Sequence, residues 1–245
     1  MKQIFENYTS EDHEVWKILF ERQKENLKDK ACPEYLAALD EMKEVLNSNS
    51  IPRFTDLNEW FAQRTGWEIH CVPGLIPVDE FFELLAQKKF CSSKWLRLKS
   101  QLDYLEEPDM FHDIFGHVPL LSLPMYSNFM HEFGKLGVAH KDSPEIQIYL
   151  QRLYWFTIEF GLIREEGELR VYGAGILSSA GETTHALSDK PSHFAYEVRQ
   201  IMMTSYWKDH FQDKYWVIDS FEQLFKSLPE IEQVLEELLA TENKN

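Results

Sequence analysis

The stretch that decides this chain reads Pro108-Asp109-Met110-Phe111-His112-Asp113-Ile114-Phe115-Gly116-His117-Val118-Pro119. It sets two histidines among apolar and aromatic residues, and paired imidazoles are the usual nitrogen half of a transition-metal site. Residues four apart share a helix face, but His112 and His117 stand five apart, about 140° around an ideal helix. A straight helix would aim the two rings apart. Gly116 and Pro119 supply a remedy: the helix carrying His112 ends or distorts near Gly116 and turns His117 back toward the same point.

A third ligand is offered by Tyr154-Trp155-Phe156-Thr157-Ile158-Glu159-Phe160-Gly161, where Glu159 is a lone carboxylate in an apolar and aromatic run. Two His and one carboxylate, with the other coordination positions open, is the pattern of non-haem Fe(II) oxygenases. The spacing HxxxxH by itself is weak. It also fits a zinc hydrolase, in which three ligands hold zinc and a water, although the HExxH signature is absent. A histidine near a helix end is commonly a satisfied polar group, and Glu159 could equally be an ion-pair partner. On spacing alone these readings stay open.

Composition narrows the class. A chain of 245 residues suits one large domain, able to bury roughly 70–75% of its unfolded surface without disulfide staples. Its 17 Phe, 10 Tyr and 7 Trp support a thick core or an aromatic-lined pocket. Net charge is −16, from 41 acids and 25 bases, which argues against nucleic acid or an anionic membrane as a main partner. The three cysteines, Cys32, Cys71 and Cys91, are an odd number with no CxxC spacing and read as reduced thiols of a cytoplasmic protein. No secretory signal or transmembrane run is evident.

Helical periodicity dominates. Thr9 and Ser10 precede the stripe Val15, Trp16, Leu19 and Phe20. Leu36, Leu39, Met42 and Leu46 form another stripe; Asp56 to Arg64, with Gly66 as a stop, and Pro77 to Phe90 also read as helices. Ile231, Val234, Leu235, Leu238 and Leu239 mark a last one. Strand signals are confined to 67–72, 169–172 and 215–218, the second preceded by the turn Glu165-Glu166-Gly167-Glu168. The expected architecture is one mostly α domain with a few short β-strands, ending in a frayed tail over 241–245.

The run from Asp103 through Leu121 resembles the signature of the pterin-dependent aromatic amino-acid hydroxylases, most of all the bacterial phenylalanine 4-hydroxylases. Tyr154 to Gly161 and Tyr172-Gly173-Ala174-Gly175-Ile176-Leu177-Ser178-Ser179 resemble two further blocks of that family, in the same order, and the likeness runs from about Val15 to Phe225. The resemblance implies a single compact catalytic domain over 1–245, without regulatory or tetramerisation domain, and a monomer. It implies Fe(II), a tetrahydrobiopterin-like tetrahydropterin and O2, and hydroxylation of L-phenylalanine to tyrosine; tryptophan hydroxylation on the same scaffold is the nearest alternative.

Residue roles follow from the same resemblance. The iron ligands fall on His112, His117 and Glu159. Pterin contacts fall on Gly74, Leu75, Ile76, Phe81, Asp113 and Tyr154. Substrate contacts fall on Arg97, with Asp109 to orient it, on Trp155 and on Ser178. A guanidinium suits a carboxylate, and an aromatic face suits a flat heterocycle. Leu105 and Gln151 depart from the animal members, in positions near substrate and pterin respectively.

Overall fold

A computed structural model describes residues 1–103 and 107–242. The chain opens with α1 (Ser10–Leu27), capped as its sequence predicts: Thr9 Oγ1 accepts from the Asp12 N–H, while Asp12 accepts from the Thr9 backbone. Helices α2 (Pro33–Glu41) and α3 (Phe54–Ala62) follow. The second is shorter than its apolar stripe. The third begins two residues before Asp56, which sits in its first turn near the positive end of the helix dipole. Gly66 stops that helix, with φ +73° and its N–H on the Phe61 carbonyl at 2.9 Å.

Strand β1 (Glu68–Cys71), helix α4 (Val78–Ala86) and strand β2 (Lys89–Ser92) form a small βαβ unit with parallel strands. The sequence reading carried the helix on to Phe90. It ends instead at Ala86, because Lys88 takes a left-handed conformation (φ 56°) and 89–92 alternates buried and half-buried residues as an edge strand does.

The next α-helices are α5 (Pro124–Ala139) and α6 (Pro144–Tyr154), each with proline in its first turn. Strands β3 (Leu162–Glu165) and β4 (Glu168–Val171) form a hairpin. Its two central residues, Glu166 and Gly167, have φ of 50° and 91°, the left-handed pair that a two-residue hairpin turn requires. Short helices α7 (Ala174–Leu177) and α8 (Ala180–Ala186) lead to β5 (Ser192–Ala195), α9 (Val198–Met203) and β6 (Lys214–Ile218). The second sheet runs β4-β3-β6-β5, antiparallel only within the hairpin. Helices α10 (Phe221–Lys226) and α11 (Leu228–Glu242) close the chain. Helix α11 runs to Glu242; residues 243–245 of the tail, like Leu105, lie outside the described residues.

The three strands read from sequence are present, and β2, β3 and β5 are additional. Strand β2 lies at the end of the stretch that reads as a helix, and β3 and β5 show no alternation of buried and exposed residues. The architecture is the mostly helical domain expected. Trp16, Trp67 and Trp216 are fully buried in its core.

One packing contact fixes the position of α4. A Cβ at Gly134 on α5 would stand 2.4 Å from the Ala86 backbone nitrogen, and one at Gly137 would stand 2.2 Å from the Phe82 ring. Two glycines three apart on one face therefore let α4 press its backbone on α5 at Gly134 and seat the Phe82 ring on it at Gly137. Gly134→Ala forces α4 outward, since backbone cannot yield as a flexible side chain can. Overpacking of this kind costs about 1–3 kcal/mol. The midpoint of thermal unfolding should fall by roughly 2–10 °C; an unchanged midpoint would contradict this packing.

Candidate metal centre

His112 to His117 forms a turn of π-helix, not the end of an α-helix. In such a turn the backbone bond runs from residue i to i+5, so residues five apart come to the same side. That answers the angular problem posed by the spacing. Gly116 serves the turn differently than expected: its missing Cβ would lie 2.8 Å from the Ala174 carbonyl, so glycine lets α7 press against the histidine turn.

Glu159 is delivered by a second π turn, Trp155–Glu159, which follows α6 directly. The Phe160 N–H reaches back to the Trp155 carbonyl at 2.9 Å, the i to i+5 bond of this geometry. Both turns thus wind wide where a ligand must be aimed.

The three side chains converge. Glu159 Oε1 lies 3.1 Å from His117 Nε2, Glu159 Oε2 lies 3.5 Å from His112 Nε2, and the two Nε2 atoms are 3.3 Å apart. Two ligand atoms each about 2.1 Å from one ion, at a right angle, stand roughly 3 Å apart. The triangle therefore has the dimensions of one face of a coordination sphere. Two imidazole lone pairs aimed at each other repel unless a cation lies between them. The donor set fits a divalent transition metal.

Protonation suits the same role. Burial lowers His112 to about 4, against the pull of Glu159. Burial works against ionisation of Glu159, but the imidazoles of His117 and His112 outweigh it and hold the carboxyl down at about 2. At neutral pH His112 is neutral and Glu159 ionised, the forms that bind metal.

The ring of His112 is fixed by its other nitrogen. Ser178 Oγ donates to the Ala174 carbonyl at 2.8 Å and faces His112 Nδ1 at 2.9 Å. The serine proton being committed, Nδ1 must carry the imidazole proton, which leaves the Nε2 lone pair toward Glu159. His117 is held by packing: Phe90 lies over its ring at 4.6 Å, while its Nδ1 is buried with no hydrogen-bond partner among the described residues.

The triangle opens on a cleft of about 730 Å³. Every residue assigned above to pterin lines that cleft: Gly74, Leu75, Ile76, Phe81, Asp113 and Tyr154. Phe81 and Tyr154 meet edge to face at 5.1 Å. Leu75 is largely exposed at the rim. Burial pushes Asp113 up to about 7 although it accepts the Ser93 N–H at 2.8 Å. Gln151 lines the cleft as well, its amide donating to the Gln147 carbonyl.

Arg97, Trp155 and Ser178 line the same cleft, and Asp109 stands behind it, fully buried. Arg97 Nε and Nη2 each donate to Asp109 at 2.8 Å, a two-point pair that leaves Nη1 unengaged by the acid. Asp109 also accepts the backbone N–H groups of Arg97 at 3.0 Å and His112 at 3.1 Å. One carboxylate thereby ties the arginine to the start of the histidine turn. Ser178 touches both cleft and metal-ligand ring, so its hydroxyl orients His112 whatever else it contacts.

Sequence reasoning missed Phe90 and Tyr206. Phe90 had been placed at a helix end; the alternation Lys89-Phe90-Cys91-Ser92 was the available signal. Tyr206, which stacks on Trp155 at 4.2 Å, comes from a loop with no local signature.

A model of the biopterin-dependent aromatic amino acid hydroxylases matches residues 3–242. The chain belongs to that family. Membership removes the zinc-hydrolase reading. A phenylalanine-4-hydroxylase from Ralstonia nicotianae is 47% identical over 92% of this chain and 71% of its own length. The crystal structure of Chromobacterium violaceum phenylalanine hydroxylase with iron(III) and 7,8-dihydrobiopterin is 46% identical, with a TM-score of 0.90 over 96% of this chain and 86% of that one. Another structure of the same enzyme, holding iron and phenylalanine, is 43% identical, with a TM-score of 0.90 over 98% of this chain and 87% of that one.

Ser178→Ala removes the partner of His112 Nδ1 and leaves the ligand triangle itself intact. Loss of such an orienting partner weakens metal binding by roughly 10–100-fold. Anaerobic titration with Fe(II) or Co(II) reads this directly, and wild-type affinity in the variant would refute the orienting role.

Proposed function

We propose that this chain hydroxylates L-phenylalanine to L-tyrosine, using Fe(II), a tetrahydropterin and O2. The observation that carries the reading is the ligand triangle at 3.1–3.5 Å on the wall of an aromatic cleft that also bears Arg97. Iron and reduced pterin together supply the activation of O2 and its delivery to the ring. The protein's own groups bind, orient and exclude water.

His112, His117 and Glu159 hold the metal by one face and leave the opposite face to the reactants. Ser178 keeps the proton of His112 on Nδ1. Arg97, its plane fixed by Asp109, presents Nη1 to the substrate carboxylate, so the amino acid enters in one orientation. Trp155 and Phe160, at 4.7 Å from each other, form an apolar wall for the substrate ring. Phe81 and Tyr154 offer aromatic surface to the flat pterin, and Gly74, where a Cβ would meet nothing within 4 Å, leaves backbone open to its edge. Fixing two reactants and a metal in this way supplies much of the rate enhancement.

We also infer that the chain works as a monomer in the cytoplasm. Three free cysteines and the absence, among the described residues, of any helix long and apolar enough to cross a membrane support that setting.

The test is an assay with Fe(II), tetrahydropterin and O2 on phenylalanine, tyrosine and tryptophan. Phenylalanine should give tyrosine in step with pterin oxidation, and His117→Ala should abolish turnover. No pterin-dependent O2 uptake by the iron-loaded wild type would sink the reading. Arg97→Lys keeps the charge and loses the two-point pair with Asp109. Its kcat/KM for phenylalanine should drop roughly 10–100-fold, mainly through KM; an unaltered KM would contradict carboxylate binding there.

A further inference from the structure

Trp155 is held on three sides. Tyr206 stacks on its ring with centroids 4.2 Å apart and planes 13° apart, and Phe160 leans on it at 4.7 Å. The third hold is polar: Trp155 Nε1 donates to Gln212 Oε1 at 3.0 Å. Gln212 is buried at 3% exposure, and its amide is wholly committed. Its Nε2 donates to the carbonyls of Trp207 at 3.0 Å and His210 at 3.3 Å. With an N–H facing its oxygen and two carbonyls facing its nitrogen, the amide has only one satisfactory orientation.

The backbone of Gln212 is anchored too. Its N–H donates to Glu182 Oε1 at 3.2 Å, and its carbonyl faces His185 Nε2 at 2.9 Å. Glu182 is itself buried and accepts the Tyr215 hydroxyl at 2.5 Å. Its helix, α8, starts at the Ser179 cap, one residue after the serine that orients His112. Polar contacts thus lead from Ser179, the neighbour in sequence of the serine that orients His112, through buried Glu182 and Gln212 to the indole, and none of these three takes part in the reaction proposed above. Such groups are costly to bury unless fully paired, and fully paired they hold one arrangement.

We propose that Gln212 is a positioning residue that sets which aromatic amino acid the cleft accepts, acting through Trp155. The proposal rests on the phenylalanine-hydroxylating reading given above. Stacking between Tyr206 and Phe160 lets an indole slide or tilt at little cost, because aromatic contacts tolerate a range of offsets. The hydrogen bond to Gln212 removes that freedom and fixes the width left for the substrate ring. A fixed wall admits a single six-membered ring and resists a bicyclic one; a sliding wall does so less.

Gln212→Leu removes the acceptor, and Gln212→Met does the same at the original length if leucine impairs folding. In either variant the ratio of kcat/KM for phenylalanine to that for tryptophan should fall roughly tenfold, through a raised KM for phenylalanine and a lowered one for tryptophan. The double variant Trp155→Phe/Gln212→Leu should be no less selective than Trp155→Phe alone, since a residue acting through the indole has nothing left to act on. Indole N–H NMR gives a readout apart from activity. The resonance that disappears in Trp155→Phe should exchange slowly with solvent in wild type and faster in Gln212→Met. An unchanged selectivity ratio, additive effects in the double variant, or an unaltered indole exchange rate would each overturn the proposal. Turnover of phenylalanine by the wild type tests the reaction itself; the ratio in variants that retain turnover tests Gln212.

Discussion

Two imidazole nitrogens held 3.3 Å apart, with a carboxylate closing the triangle at 3.1 and 3.5 Å, are the constraint to which the rest of this structure answers. Unoccupied by a cation, such a cluster is unfavourable, because lone pairs face one another in a buried site. The fold sustains it with two π turns, each at a place where an α-helix would send the ligand elsewhere. Around the turns, glycines allow backbone to approach backbone. A Cβ at Gly173 would lie 2.5 Å from the Glu159 carbonyl, so the segment leading into α7 can pass directly behind the carboxylate ligand.

Support for the centre is shared by a small number of buried polar groups. Asp109 serves Arg97 and the first N–H of the histidine turn. Ser178 serves His112, and the neighbouring Ser179 caps the helix that carries Glu182. Gln23, reaching from α1, donates to the Leu177 carbonyl and the Thr183 hydroxyl, and so braces α7 and α8 from behind. In the proposed roles of Arg97 and His112, substrate recognition and metal binding are mechanically joined through Asp109. A change that loosens Asp109 affects carboxylate binding and the placement of His112 together.

How much of this was legible in the sequence depended on how local the cause was. The Thr9 cap of α1 and the hairpin turn at Glu166-Gly167 are settled by a few adjacent residues and read correctly, whereas the α2 stripe and the helix read over Pro77 to Phe90 ran past the observed ends. The three converging residues stood out as candidates because they lie in apolar surroundings, and the family resemblance singled them out from the alternatives that spacing left open. The π turns were not legible. Five-residue spacing signalled a distortion near Gly116, but its π form goes with the close packing of α7 on that turn at Ala174, a contact 58 residues distant in sequence. Strands β3 and β5 lack the alternation that marks a strand, and β2 continues the apolar pattern of the helix before it. Gln212 and Tyr206 come from a loop whose side chains gain meaning only beside Trp155.

The central claim is that His112, His117 and Glu159 share one iron. X-ray absorption on the anaerobic Fe(II)-loaded chain tests it most directly, because imidazole ligands leave a distinct multiple-scattering signal. The account predicts a single iron per chain, bound by two imidazoles and otherwise by oxygen, with one imidazole lost from any iron retained by the His117→Ala variant. An iron with no imidazole neighbours, or an imidazole signal that the substitution leaves untouched, would contradict it.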